Sequence, residues 1–194
     1  MHKDRFLLHI MRARNIFRRY SITNGFDGAL TTLGMLTCFY ATGMQDLSIA
    51  LGACMGAAIA LFMSGVTSAY LSEKAEREKE LHDLEQALLT DLHGSDYGRA
   101  SRYLPMLVAL VNGLSPLLIS IVIISPLLLA KAGYALPISP FLVAIFTGGL
   151  CMFTLGIFLG KISDTFWLIS GGYTLLIMVV TVGLILSASY LFTW

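Results

Sequence analysis

Five long apolar segments dominate this sequence and limit the folds that it can adopt. They lie at 21–43, 47–70, 104–129, 137–160 and 166–192, and each is long enough to cross a bilayer as a helix, which takes about 20 residues. Charged residues make up only 13% of the chain, whereas a soluble domain carries about 25%. The sequence therefore predicts an all-α polytopic membrane protein with five transmembrane helices in contact with a lipid bilayer.

The distribution of basic residues predicts the orientation of these spans. Of the 13 Lys and Arg residues, all except Lys131 precede the first span or lie between spans two and three or spans four and five. Because basic segments stay in the cytoplasm, we expect the N-terminus inside and the C-terminus outside. The first 20 residues are too basic and too interrupted for a cleavable signal peptide. A compact chain without a targeting segment favours a prokaryotic plasma membrane.

The chain divides into four parts on this basis. Residues 1–20 form a basic cytosolic segment, 21–70 the first two spans, 71–102 a charged cytosolic insert and 103–194 the last three spans. Apolar residues recur among the basic ones at roughly helical spacing in the first part: Phe6, Leu7, Ile10, Met11 and Phe17. This pattern is typical of an amphipathic helix on the inner leaflet. A disordered basic leader that only sets the topology is the alternative.

The charged insert is predicted to continue the second span as a helix into the cytoplasm, ending at Gly94. Glycine is the usual residue just after a helix end. A narrow stripe of leucines follows one face of this helix: Leu81, Leu84, Leu88 and Leu92. An apolar stripe needs a partner surface, most simply the same helix of a second subunit. The insert therefore predicts a homodimer.

An acidic stripe runs beside the leucines and has two interpretations. Its members are Glu73, Glu76, Glu80 and Asp83, with Asp91 further along the same face. The stripe can be a solvated face with three i,i+4 ion pairs, namely Glu73–Arg77, Lys74–Glu78 and Lys79–Asp83. It can also collect divalent cations, which prefer carboxylate oxygens.

One acidic residue, Asp27, lies inside a predicted span. A carboxylate at that depth costs roughly 2.5–3.5 kcal/mol on insertion scales, so it should face protein or water and is a functional candidate. Thr31 lies on the same helical face, with Met35 at its edge. Polar residues in other spans, such as Asn112, can either line a path or hydrogen-bond neighbouring helices. Gly52 with Gly56, and Gly156 with Gly160, form small-xxx-small pairs where helices can approach closely.

No sequence pattern of soluble catalysis is present. The chain lacks a P-loop, an HExxH motif and a CxxC motif, and it has no Ser-His-Asp set with a plausible pocket. All three cysteines, Cys38, Cys54 and Cys151, lie in apolar segments. The sequence thus predicts a protein that is not an enzyme, has no resident cofactor and does not bind nucleic acid.

Three motifs in the membrane segments resemble those of a known family. They are FDGALT at 26–31, SGVTSAYLSE at 64–73 and GLSPLL at 113–118, and Arg19 precedes the first of them. In their order and spacing they are similar to motifs of the vacuolar iron transporter family of divalent-metal transporters. The order of elements is also similar: two spans, a charged helical insert and three more spans.

The resemblance implies a homodimer that exports Fe²⁺, Mn²⁺ or a similar ion from the cytoplasm by proton antiport. Asp27 is then the membrane metal site, with Thr31, Met35 and Met63 as further candidate ligands, and the acidic stripe is the cytosolic collector. Two positions depart from the family pattern: Gly65 stands where methionine is expected, and apolar sequence around Ala57 where glutamate is expected. The insert is also shorter. These departures favour an alternative, a membrane scaffold or regulator that kept the fold without transport.

Overall fold

Five helices account for 87% of the computed structural model, and the predicted all-α fold is confirmed. The structure describes the backbone of residues 2–135 and 137–192, and the side chains of residues 18–135 and 137–191. In chain order the helices are α1 (His2–Ala41), α2 (Leu47–Leu88), α3 (Asp96–Lys131), α4 (Pro140–Ile162) and α5 (Trp167–Phe192).

Four of the helices, α2 to α5, are long and apolar enough to cross a membrane. Helix α1 is less apolar because its second half carries groups such as Asn24, Asp27 and Thr32. It is also the helix that contacts all four others, whereas α2 contacts α1 and α3 alone among the described residues. Helix α1 therefore lies at the centre of the bundle, where neighbouring helices can cover much of its polar surface.

The N-terminal segment is part of α1. Its backbone is helical from His2 and continues without a break into the first apolar segment. The side chains of the expected amphipathic face, from Phe6 to Phe17, lie outside the described ones, so the face itself stays a prediction.

Helix α2 begins at a well-formed cap and extends far beyond its apolar part. The Asp46 carboxylate accepts hydrogen bonds from the amides of Ser48 and Ile49 at 2.7 and 3.3 Å, which satisfies two donors that a helix start leaves free. The helix then continues past Tyr70 to Leu88. The predicted continuation of the second span as a helix is therefore present.

The predicted end of that helix at Gly94 is wrong. The helix stops at Leu88, and Leu89 turns the chain with a left-handed backbone at φ 50°. Side chains hold the backbone amides that follow: Glu85 accepts from Leu92 and Asp91 accepts from His93, both at 2.8 Å. Such local bonds offer the backbone an alternative to the helix.

This early end also breaks the predicted leucine stripe. Leu81 is buried within the single chain and Leu92 lies outside the helix, so only Leu84 and Leu88 remain as exposed members on α2. A continuous leucine surface that needs a second subunit is therefore not formed.

Close packing of small residues joins α4 to α5. A Cβ atom added at Gly156 would lie 2.9 Å from Gly171 Cα, and one at Gly160 would lie 2.8 Å from Ser170 Oγ. Helices in lipid associate through such contacts because the hydrophobic effect does not act between them. The expected close approach at these two glycines is present. By contrast, an added Cβ at Gly52 or Gly56 would meet no described atom within 4 Å, so this pair lies on an open face.

The hydrophobic core lies where α1 to α4 meet. It is formed by the second half of α1, the start of α2, the end of α3 and most of α4, with these largest members: Leu33, Leu36, Leu51, Ile123, Ile124, Leu127, Phe141 and Met152. Helix α5 lies outside this core and touches it through Met178. The core therefore fixes the half of the bundle that is opposite the α2–α3 turn. The other half is held by polar contacts together with smaller buried apolar residues such as Ala69, Val108 and Ala109.

Candidate functional site

Two close helix crossings bring the three motif segments together. A Cβ atom added at Gly28 on α1 would lie 2.6 Å from Pro116 Cα on α3, and one at Gly65 on α2 would lie 3.1 Å from Gly113 Cα on α3. The segments 26–31, 64–73 and 113–118 are far apart in sequence, and α3 is the helix on which they meet. We call this place, formed by Gly28, Gly65, Gly113 and Pro116, the three-helix crossing.

A chain of side-chain hydrogen bonds reinforces the three-helix crossing. The amide of Asn24 on α1 donates to the side-chain oxygen of Asn112 on α3, and the Asn112 amide donates to the Gly65 carbonyl on α2 at 2.8 Å. Asn112 is 5% exposed. Buried amides in an apolar setting need partners, and these two have them. Both asparagines therefore join helices, which is the second of the two roles that the sequence left open.

Pro116 adds an open backbone acceptor at the same place. Proline has no amide hydrogen, so the carbonyl four residues earlier loses its usual helical partner. That carbonyl belongs to Asn112, and Gly65 packs directly against it. The crossing thus combines a side-chain network with a main-chain oxygen that the helix does not use.

Asp27 lies next to Gly28 at this crossing, and its side chain is exposed on the surface of the single chain. Within the described part of the chain it has neither a hydrogen bond nor an ion pair. Seven residues further along the same face, Gly34 is covered by Ile185 of α5, which would lie 3.3 Å from an added Cβ. Helix α5 therefore covers this face of α1 at Gly34, whereas at Asp27 the face is exposed.

The other predicted membrane ligands differ in their relation to Asp27. Thr31 is half-buried one turn above it, and Met35 is half-buried and packs against the hydrophobic core. Met63 on α2 is 54% exposed. Its neighbour Phe62 lies against Gly113 on α3. Gly113 is about 4.5 Å along α3 from Pro116, the residue that Gly28 contacts. Met63 and Asp27 are thus at a similar level, whereas Met35 is directed to the core.

The acidic stripe on the extension of α2 is partly neutralised. Arg77 donates to Glu80 at 2.6 Å and to Glu73 at 3.4 Å, and Glu73 is 4% exposed. Tyr97 at the start of α3 also donates to Glu80, at 3.4 Å. The Tyr97 bond ties the extension to α3, whereas both Arg77 bonds lie within α2. In the described part of the chain, Glu76 and Asp83 are the stripe members on α2 without an ion-pair partner.

Two of the three expected ion pairs on this face are formed. Glu73–Arg77 is present, and Lys74 Nζ lies 3.8 Å from Glu78 Oε1. The third, Lys79–Asp83, is not formed in the described part of the chain. Exposed pairs such as Lys74–Glu78 contribute at most about 1 kcal/mol. The buried Glu73–Arg77 pair is different, because removing one partner leaves an uncompensated charge.

The helices and the placement of polar groups define a class of protein. The long apolar helices have the character of membrane-spanning segments, and the interhelical polar contacts connect one helix to the next. The chain is thus an all-α protein with several helices of membrane-spanning character.

A comparison with known proteins places the chain in a family. It is 32% identical over 166 residues to the uncharacterized protein MJ0645 of Methanocaldococcus jannaschii, and the match covers 79% of this chain and 78% of that protein. The chain therefore belongs to the same family as MJ0645. No family model matches the chain, and no solved structure matches it.

Proposed function

We propose that this protein is a divalent-cation transporter that moves an Fe²⁺- or Mn²⁺-like ion out of the cytoplasm, with protons as the possible counter-ion. The observation that carries the proposal is the exposed carboxylate of Asp27 beside the three-helix crossing. An ionisable group at such a position in a membrane protein is expensive and is retained for ion or proton pathways. The resemblance of the three crossing segments to vacuolar iron transporter motifs supports the same function.

The proposal includes five membrane crossings, with α1 as the first. Helix α1 is the least apolar, but a helix enclosed by others needs less apolar surface than one that faces lipid. Its contacts with all four other helices support this position. With the basic segments inside, the N-terminus lies in the cytoplasm and the C-terminus outside, in a membrane that we take to be a prokaryotic plasma membrane.

The proposal also includes a homodimer. The Asp27 side chain is exposed in the single chain, and contact of its carboxylate with lipid would cost roughly 2.5–3.5 kcal/mol. A second subunit related by two-fold symmetry would cover it and would bring a second Asp27 towards the same axis. Gly52 and Gly56 form an open small-residue face on α2, which permits close approach of another helix. Two carboxylates, with Met63 at a similar level of the bundle, would offer a dication both charge and a soft ligand.

The acidic stripe is proposed as the cytosolic collector of this transporter. Glu76 and Asp83 are its accessible members, whereas Glu73 and Glu80 are held by Arg77. A surface of one charge sign raises the local concentration of the opposite ion. The stripe would therefore affect the apparent affinity for metal more than the maximal rate.

Flux through Asp27→Asn tests the proposal. Purified protein is placed in liposomes, and uptake of Fe²⁺, Mn²⁺, Co²⁺ and Zn²⁺ is followed together with internal pH. We expect Asp27→Asn to reduce flux to the level of protein-free liposomes, because a neutral amide offers the ion dipoles without charge and releases no proton. Membrane insertion should not be impaired, because removing the charge lowers the free-energy cost of inserting the helix.

Asp46→Asn is the matched control for this experiment. It makes the same chemical change at the exposed cap of α2, where asparagine caps a helix about as well as aspartate, and we expect it to transport like the parent. If Asp27→Asn shows parent-like flux, Asp27 is not part of the transport pathway. If the parent itself moves no ion under any gradient, the non-transporting scaffold or regulator becomes the better account.

A further inference from the structure

The turn between α2 and α3 brings together three side chains that bind metals in other proteins. Glu85 lies in the last turn of α2, and Asp91 and His93 lie in the connection that follows. One ligand atom from each of the three lies within 4.8 Å of the other two, and His93 Nε2 is 3.9 Å from Glu85 Oε1. By its spacing Asp91 also belongs to the acidic stripe, whereas Glu85 and His93 do not.

Backbone hydrogen bonds hold the three residues in place without an ion. Glu85 Oε1 accepts the amide of Leu92, and Asp91 Oδ1 accepts the amide of His93, both at 2.8 Å. A carboxylate has about four acceptor positions, so each of these groups keeps free lone pairs. The group is therefore already assembled, and a metal would need only small side-chain rotations.

The electrostatic surroundings also favour a cation. The C-terminal end of a helix carries a partial negative charge that attracts positive groups, and the last turn of α2 contains no basic residue. In the described part of the chain, neither Glu85 nor Asp91 pairs with a lysine or arginine; His93 is the one partner of Glu85 that can carry a positive charge. Two carboxylates and a helix end are thus left without a compensating cation.

The kind of ligand indicates the kind of metal. A group of carboxylates alone would suit Mg²⁺ or Ca²⁺, or would simply be a solvated surface, but an imidazole nitrogen favours first-row transition metals. Ligand atoms lie about 2.0–2.2 Å from such an ion, so two of them around a tetrahedral ion are about 3.3–3.6 Å apart. The ligand atoms of the three side chains must therefore approach one another by up to about 1.5 Å, and water would fill the remaining position.

We propose that Glu85, Asp91 and His93 form a binding site for a first-row divalent metal ion, such as Zn²⁺ or Co²⁺, at the tip of the α2–α3 hairpin. The bound ion would join the turn to the end of α2 and so stiffen the connection at Leu89–Leu92. This site goes beyond the proposed transport function, because it requires neither Asp27 nor movement of an ion across the membrane.

Metal titration of the full-length protein in lipid nanodiscs tests this site. Zn²⁺ binding is measured by calorimetry, Co²⁺ binding by its visible absorption, and hydrogen exchange is followed in the peptide spanning 85–95. We expect one metal equivalent, separate from any bound at Asp27 or the acidic stripe, to lose affinity at least about tenfold in His93→Ala, since even the outer-shell partners of a metal are worth about 10–100-fold. We also expect Zn²⁺ to slow exchange in this peptide for the parent and not for His93→Ala.

Two variants serve as controls. His82→Ala removes an exposed histidine of α2 whose ring pairs with Gln86 at 2.9 Å, and it should keep the affinity of the parent. Asp91→Asn keeps an oxygen for the His93 amide and loses the charge, so it should weaken binding with the turn intact. Equal losses in His82→Ala and His93→Ala, or no Zn²⁺ effect on exchange at 85–95, would overturn the site. Asp27→Asn should retain full binding here, so failure of transport and failure of this site are separate results.

Discussion

At the scale of single residues, a glycine inside a helix permits close packing only where a neighbouring helix comes near. Gly28 is such a position, because an added Cβ would lie 2.6 Å from Pro116 Cα, whereas Gly52 has nothing within 4 Å. Both glycines lie inside helices, so alanine gains about 1 kcal/mol of helix propensity at either. The difference between the two substitutions therefore isolates the contact between α1 and α3.

We expect Gly28→Ala to destabilise the protein by about 1–3 kcal/mol through overpacking, and Gly52→Ala to be neutral or slightly stabilising. The measurement is the unfolding free energy in mixed detergent micelles as the denaturing detergent is increased. Equal stability of the two variants would mean that the three-helix crossing is looser than its geometry indicates.

At the scale of elements, the question is whether α1 crosses the membrane. Three single cysteines decide this in a background where Cys38, Cys54 and Cys151 are replaced. We expect an impermeant thiol reagent to label Gln45→Cys on intact cells, and to label Lys3→Cys and Lys79→Cys only after permeabilisation. The reason is that basic segments remain inside. If Lys3→Cys and Gln45→Cys label together from outside, then α1 does not cross and the chain has four spans.

At the scale of the whole molecule, the open carboxylate of Asp27 and the open face at Gly52 and Gly56 call for a second subunit. We expect the mass of the protein in lipid nanodiscs to be twice that of one 21.2 kDa chain, because a lipid-facing carboxylate is costly. Native mass spectrometry or light scattering measures this. A monomer that persists in lipid over a range of protein concentrations would contradict the dimer and leave Asp27 facing lipid.

Much of this fold can be derived from the sequence, because a bilayer imposes simple rules. Apolar length determines which segments can be membrane helices, and the absence of water makes helices the form in which each segment satisfies its own backbone. The continuation of α2 beyond Tyr70 follows from an unbroken helical pattern. Asp27 is identified for the same reason, since a charge inside an apolar segment is conspicuous against its background.

The sequence could not determine the contacts that depend on which helices become neighbours. The pairs at 52 and 56 and at 156 and 160 have the same small-xxx-small spacing, yet only the second meets another helix in the described part of the chain. Likewise, the Glu73–Arg77 pair follows from helical spacing, but the hydrogen bond from Tyr97 on α3 to Glu80 forms only because the hairpin brings the two helices together.

The tip of the hairpin shows most clearly what tertiary structure alone decided. If α2 continued to Gly94 as its pattern suggests, Glu85 and Asp91 would be about 120° apart around the helix and about 9 Å apart along it. They could then not bind the same metal ion. The left-handed turn at Leu89 instead folds Asp91 and His93 back towards Glu85. At such a helix end, side-chain hydrogen bonds to the backbone compete with helix propensity. The free-energy difference between continuing the helix and turning is small, so the periodicity of the sequence does not reveal where the helix stops.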